Sequence, residues 1–138
     1  ANGARVVSGG HVIDRPGDFY PPTILDNVNA GFRVVNEEQF GPVLPVMAFR
    51  DEAEAIERAN NSEYGLTASV WSADADHAAA LASEIDSGQV SINSHGGGVQ
   101  KHLPFGGHKW SGIGVENGPW GLASFTELQV ISGPSRLK

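Results

Sequence analysis

A chain of 138 residues with 40% hydrophobic and 18% charged side chains holds enough apolar material for a packed domain and is not disordered by composition. Its formal net charge of −7 argues against nonspecific binding to nucleic acid or anionic lipid, and no apolar run of about 18 residues is present to span a membrane. With no cysteine, these residues can form no disulfide, thiolate metal site or cysteine nucleophile.

The opening Ala1-Asn2-Gly3, without Met or a signal-like stretch, reads as part of something longer. Arg5–Ser8 is a predicted strand. Tyr20–Leu25 is a second, entered through Pro21-Pro22, which suggests an edge position or an extended approach. Ala30–Glu37 is ambiguous and reads as a short helix. Val43–Phe49 is an apolar strand in which Pro45 suggests an edge or a bulge. The clearest helix follows. Asp51 can cap its N-terminus, Glu54 stands three residues later as in a capping box, Ala55, Ile56 and Ala59 form the stripe, and Asn60-Asn61 ends it.

Leu66–Trp71 is a strand candidate. Ser72 or Asp74 then opens a helix through Ile85, with Ala78, Leu81, Ala82 and Ile85 on one face. Gly88 fits a left-handed C-terminal cap, and Gln89–Asn93 is a strand. Strand–helix–strand–helix–strand at these lengths predicts an α/β fold with parallel strands and right-handed crossovers. Ser94 to Gly118 is a long Gly-rich loop region. Long loops in compact domains are functional or disordered, and Val99, Leu103, Phe105, Trp110 and Ile113 favour an ordered, functional one. Pro119–Ser124 reads as a helical turn and Phe125–Ile131 as a final strand.

Several common motifs fail. Gly112-Ile-Gly114-Val-Glu-Asn-Gly118 is one residue too long for a dinucleotide fingerprint and follows a loop rather than a strand. No phosphate-binding P-loop is present. His95, His102 and His108 are too far apart for one helical face, so no metal site is expected.

A distributed series carries more information. It runs Tyr20-Pro21-Pro22-Thr23-Ile24-Leu25, then Asn36-Glu37-Glu38-Gln39-Phe40-Gly41-Pro42, then Tyr64-Gly65-Leu66-Thr67-Ala68-Ser69-Val70. Gly88-Gln89-Val90-Ser91-Ile92-Asn93 follows, then Leu103-Pro104-Phe105-Gly106-Gly107-His108-Lys109-Trp110-Ser111-Gly112, then Phe125-Thr126-Glu127. In this order and spacing the series resembles the C-terminal part of the catalytic domain of the NAD(P)-dependent aldehyde dehydrogenase superfamily. The resemblance covers nearly the whole chain. It implies a partial α/β catalytic domain with parallel strand–helix–strand units over residues 1–124 and a C-terminal interface strand and tail over 125–138.

A carboxylate at position 38, before the Gly41-Pro42 turn, can accept two hydrogen bonds from a diol such as a ribose. The resemblance makes Glu38 the contact to the nicotinamide ribose of NAD or NADP and packs Phe40 beside the nicotinamide; Glu37 is left as a solvated neighbour. Gly106-Gly107 lets the backbone pass close to another group, and the resemblance places Phe105 in the aldehyde pocket. The preceding loop, with Val99, shapes substrate choice; its Gly96-Gly97-Gly98 hints at an open pocket. The resemblance leaves Asn93 as a loop-fixing residue and Glu116 as a proton-path or structural residue. Glu127 falls near a subunit interface, and Val115 and Gln129 depart from an arginine and a lysine common in the family.

The resemblance further implies that Glu38 and Phe105 face one cleft whose cysteine thiolate, general base and oxyanion-binding asparagine come from upstream of this segment. The segment alone is then inactive and binds no cofactor, and its partners are the remainder of the enzyme chain and a second copy in a homo-oligomer. Three other readings stay open: a stand-alone binding module or pseudoenzyme, a structural or interaction fragment with Phe125–Ile131 as its sticky strand, and part of a coenzyme A-acylating aldehyde dehydrogenase.

Overall fold

A computed structural model describes residues 3–98 and 100–133. The chain divides into two compact units, Ala1–Glu63 and Tyr64–Lys138.

In the first unit, β1 (Arg5–Ser8), β2 (Thr23–Asp26) and β3 (Val43–Pro45) form a sheet in that order. β1 pairs antiparallel to β2, and β2 pairs parallel to β3. Pro45 sits on the edge strand, where a missing N–H costs no ladder bond. The second strand is shorter than predicted and is the central one. Pro21-Pro22 precede it rather than lie in it, because a central strand needs every backbone donor. Thr23 is the one buried polar residue among those described. Its hydroxyl donates to Pro21 O (3.0 Å) and accepts from Gly10 N (2.8 Å), tying the 9–22 excursion to the sheet. Between β2 and β3 lies α1 (Arg33–Asn36), the predicted short helix.

The helix α2 (Glu52–Asn60) starts at Asp51, whose carboxylate accepts from Glu54 N at 2.9 Å. The reciprocal half of the capping box is shifted by one residue. Glu54 accepts from the Arg50 backbone N–H (2.8 Å) rather than from that of Asp51. That bond and the Arg50 and Arg58 guanidinium groups hold the Glu54 carboxyl below its ordinary range.

In the second unit, β5 (Thr67–Val70) and β6 (Gln89–Ile92) pair in parallel, with Thr67 opposite Gln89 and Val70 opposite Ile92. The helix α3 (Ala75–Ala82) joins them and packs on both. Asp74, not Ser72, is its cap, accepting from Asp76 N and His77 N at 3.0 Å each. Such a cap contributes about 1 kcal/mol. The α-helix ends at Ala82, short of the predicted Ile85. The chain goes on through i→i+3 bonds from Glu84 to Leu81 and from Ile85 to Ala82, the tighter geometry usual at a C-terminus.

Gly88 does not adopt the expected left-handed conformation. Its role is close approach: a Cβ there would lie 1.7 Å from Gly106 O. The predicted long loop contains β7 (His108–Lys109), antiparallel to β4 (Tyr64–Gly65), and an isolated bridge between Phe105 and Glu116. α4 (Gly118–Ala123) follows with Pro119 in its first turn, where a missing N–H is harmless.

The strand predicted over Phe125–Ile131 does not form. These residues carry no regular structure, and Leu128 is 100% exposed. Alternating apolar residues supply β-propensity, but a strand also needs an edge to bond to, and this segment pairs with none of the strands of the described chain. Apolar faces stay open elsewhere too. Among the described residues only Ala78 is a buried hydrophobic side chain, while Trp71, Trp110, Trp120 and Leu122 are exposed.

Candidate functional site

Glu38 and Phe40 lie on the turn after α1, in the first unit. The Glu37 N–H closes the helix on Arg33 O at 2.7 Å, and the Gln39 side-chain amide donates to Val34 O. The turn is thus pinned on both sides of Glu38. The carboxylate of Glu38 is exposed and enters none of the hydrogen bonds or ion pairs among the described residues. The Phe40 ring is 99% exposed. Glu38 thus offers a free hydrogen-bond acceptor, and Phe40 an uncovered aromatic face.

Glu37 is more than a solvated neighbour. Arg33 grips it at both carboxylate oxygens, at 2.7 and 2.8 Å, which holds its carboxyl below the ordinary range. The pairing makes Glu38, rather than Glu37, the glutamate left free for a ligand.

Phe105, Glu116 and Glu127 belong to the second unit. Phe105 and Glu116 exchange backbone bonds, Phe105 N to Glu116 O at 2.8 Å and Glu116 N to Phe105 O at 2.7 Å. Glu116 therefore has a backbone role in setting Phe105, while its side chain is exposed. The glycines after Phe105 meet the expectation of close backbone approach. A Cβ on Gly106 would lie 2.5 Å from Gly114 O, and one on Gly107 2.6 Å from Ser111. The half-buried Phe105 ring lines a cavity of about 270 Å³ together with residues 94–98 of the predicted substrate loop. Val99 lies outside the described residues. Glu127 is exposed in the segment without regular structure.

Asn93 fixes the start of that loop. Its side chain accepts from Ser72 N and donates to Ser72 O, both at 2.8 Å, while its own backbone adopts φ 51°. Sequence reasoning attached no role to Lys109 and Ser111. Ser111 Oγ accepts from Gly65 N at 2.9 Å, and Lys109 Nζ lies 3.3 Å from Asp86. His108 Nδ1 stands 2.8 Å from the other Asp86 oxygen. Asp86 was invisible as a partner because it is 22 residues away in sequence; the only hint was the run of polar residues beside Gly106-Gly107.

The hydrogen bond with His108, and after it that with Lys109, holds the Asp86 carboxyl below its ordinary value of 3.8. A lowered folded-state value means the contribution is complete above the unfolded value and is lost as pH falls through the folded one. Asp86→Asn should therefore lower the urea midpoint more at pH 6 than near pH 3. An equal loss at both values would show that the carboxylate charge is irrelevant.

A family model described as the aldehyde dehydrogenase family matches residues 1–131. Over 130 residues the chain is 41% identical to retinaldehyde dehydrogenase 3 of Homo sapiens, covering 94% of this chain and 25% of that protein. It is 44% identical over 129 residues to the NADP(+) succinate-semialdehyde dehydrogenase of Deinococcus radiodurans, covering 94% and 27%. Among solved structures, betaine aldehyde dehydrogenase of Staphylococcus aureus in complex with NAD+ superposes with a TM-score of 0.85 at 41% identity, over 90% of this chain and 25% of that one. The NAD+ complex of a Mycobacterium tuberculosis aldehyde dehydrogenase gives 0.86 at 40% identity, over 91% and 26%. The chain thus spans about a quarter of the length of the curated relatives it matches. With the expected motifs in place along nearly all of its length, this chain belongs to the aldehyde dehydrogenase family.

Proposed function

We propose that this chain is the C-terminal portion of the catalytic domain of an NAD(P)-dependent aldehyde dehydrogenase, which converts an aldehyde, water and NAD(P)+ to a carboxylic acid, NAD(P)H and a proton. The observation that carries the reading is the cavity bounded by Phe105 and the 94–98 loop in a family member that has no cysteine. The nucleophilic thiolate therefore comes from outside these residues. The nicotinamide, when bound, supplies hydride acceptance. Glu38 accepts hydrogen bonds from the ribose hydroxyls, and Phe40 covers one side of the ring. Phe105 excludes water from beside the carbonyl and limits how the aldehyde sits. Residues 125–138 serve as the oligomerisation element, pairing with a strand edge of a second copy.

Given NAD+ or NADP+ and an aldehyde, the chain alone should form no reduced nucleotide by absorbance, whereas the longer polypeptide containing it should. In that enzyme Glu38→Gln should raise KM for the nucleotide roughly tenfold, the weight of a lost charged hydrogen bond. Activity of the chain alone would overturn the reading; an unchanged KM would remove Glu38 from it.

A further inference from the structure

The sheet β5–β6 is unusual for a parallel pair. Parallel strands are ordinarily buried on both faces and read as nearly continuous apolar runs. Here β5 is Thr-Ala-Ser-Val and β6 is Gln-Val-Ser-Ile. The alternation places Ala68, Val70, Val90 and Ile92 in one row, which matches the apolar stripe of α3. It turns Gln89 and Ser91 to the opposite face. Those two residues line the cavity that Phe105 also lines, Thr67 and Ala68 of β5 border it, and Ser94, His95 and Gln100 complete its polar wall.

The side chains of Gln89, Ser91, His95 and Gln100 enter none of the hydrogen bonds among the described residues. Their donors and acceptors are thus available to a ligand. Among the described lining residues there is no Lys, Arg, Asp or Glu. The cavity, about 270 Å³, lies just below the usual range for small-molecule pockets, whose lower end is roughly 300 Å³. Gly96, Gly97 and Gly98 bring backbone but no side-chain bulk to its wall.

We infer that, if the dehydrogenase reading above holds, this cavity selects short, uncharged aldehydes bearing one or more hydroxyl groups. A long hydrocarbon aldehyde would leave the amides and hydroxyls of the wall without partners, an outcome that polar sites penalise strongly. A semialdehyde would bring a carboxylate to a wall that holds no lysine or arginine to neutralise it. A hydroxyaldehyde satisfies both constraints, with its hydroxyls on Gln89 and Ser91.

The test uses the complete enzyme with three probes: glyceraldehyde, propanal of the same chain length, and succinate semialdehyde. Glyceraldehyde should have the highest kcat/KM, by about tenfold or more over each of the others. Gln89→Met, close in shape but without the amide, and Ser91→Ala should each lower the glyceraldehyde-to-propanal ratio several-fold. Preference for propanal or for the semialdehyde would overturn the specificity while leaving the dehydrogenase intact. So would an unchanged ratio in both variants, which would mark the residues as structural. Oxidation of none of the three would sink the dehydrogenase reading itself, and the specificity with it.

Discussion

Gly88→Ala is expected to lower the unfolding midpoint of this chain by roughly 10 °C, equivalent to about 3 kcal/mol. The added Cβ would lie 1.7 Å from Gly106 O and 2.8 Å from Gly106 C, whereas real Cβ contacts stay beyond about 3.0 Å. Both offending atoms are backbone, so no rotamer change relieves the collision. Either β6 must shift at its first residue or the 106–107 turn must lift away, by more than an ångström. A shift of β6 threatens the Gly88 N–H bond to Gly65 O at 2.9 Å and the adjoining bond from Gln89 N to Leu66 O. Gly97→Ala is the control, since nothing lies within 4 Å of its Cβ and its φ is not positive; it should stay within about 0.5 kcal/mol of the parent. Thermal unfolding followed by circular dichroism compares the two. Equal midpoints would mean that the contact between residues 88 and 106 does not organise the second unit.

Asn93→Ala should cost about 2 kcal/mol, and Asn93→Gly about half of that. Alanine loses both bonds to Ser72 and must hold φ 51°, a left-handed conformation that asparagine tolerates and that costs alanine about 1 kcal/mol. Glycine loses the bonds alone. Because the side chain is exposed, each bond is worth about 0.5 kcal/mol, the low end of the usual range. Asn93→Asp keeps the acceptor for Ser72 N but sets a carboxylate against Ser72 O, so it should fall near alanine. Urea unfolding of the three variants ranks them. A glycine variant no better than alanine would show that backbone conformation plays no part. In the complete enzyme the same order should appear in KM for the aldehyde, because Asn93 sets where the loop leaves β6.

The sequence made legible what depends on neighbours in the chain. The caps at Asp51 and Asp74, the short helix at 33–36 and the strands over Arg5–Ser8, Thr67–Val70 and Gln89–Ile92 follow from spacing and local hydrogen bonding. So did the close backbone approach after Phe105, which the Gly106-Gly107 pair announced. Features that depend on distant partners were not legible. A glycine required by φ and a glycine required by a neighbour look identical in sequence, which is why Gly88 was assigned to a helix cap. Lys109 shows the same limit from the other side. Nothing about a lysine announces φ 54°, and only the pairing of Tyr64 with Lys109 and the contact to Asp86 account for it. The final strand was misread for a third reason: alternation in Phe125–Ile131 records a fitness for sheet pairing, and pairing needs a second edge.

The loop leading to Phe105 is fastened where it leaves β6 and along its return, where Gly118 N donates to Lys101 O at 3.1 Å. Asn93 holds the exit from β6 through Ser72, and Gly106 against Gly88, with the bridge between Phe105 and Glu116, holds the return. Closing a longer loop between fixed ends costs only about 0.6 kcal/mol for each doubling of its length. Insertions and deletions between positions 94 and 98 can therefore remodel one side of the cavity while the scaffold stays put. That makes this stretch the place in the chain where evolution, or a protein engineer, can reshape the cavity at the least cost in stability.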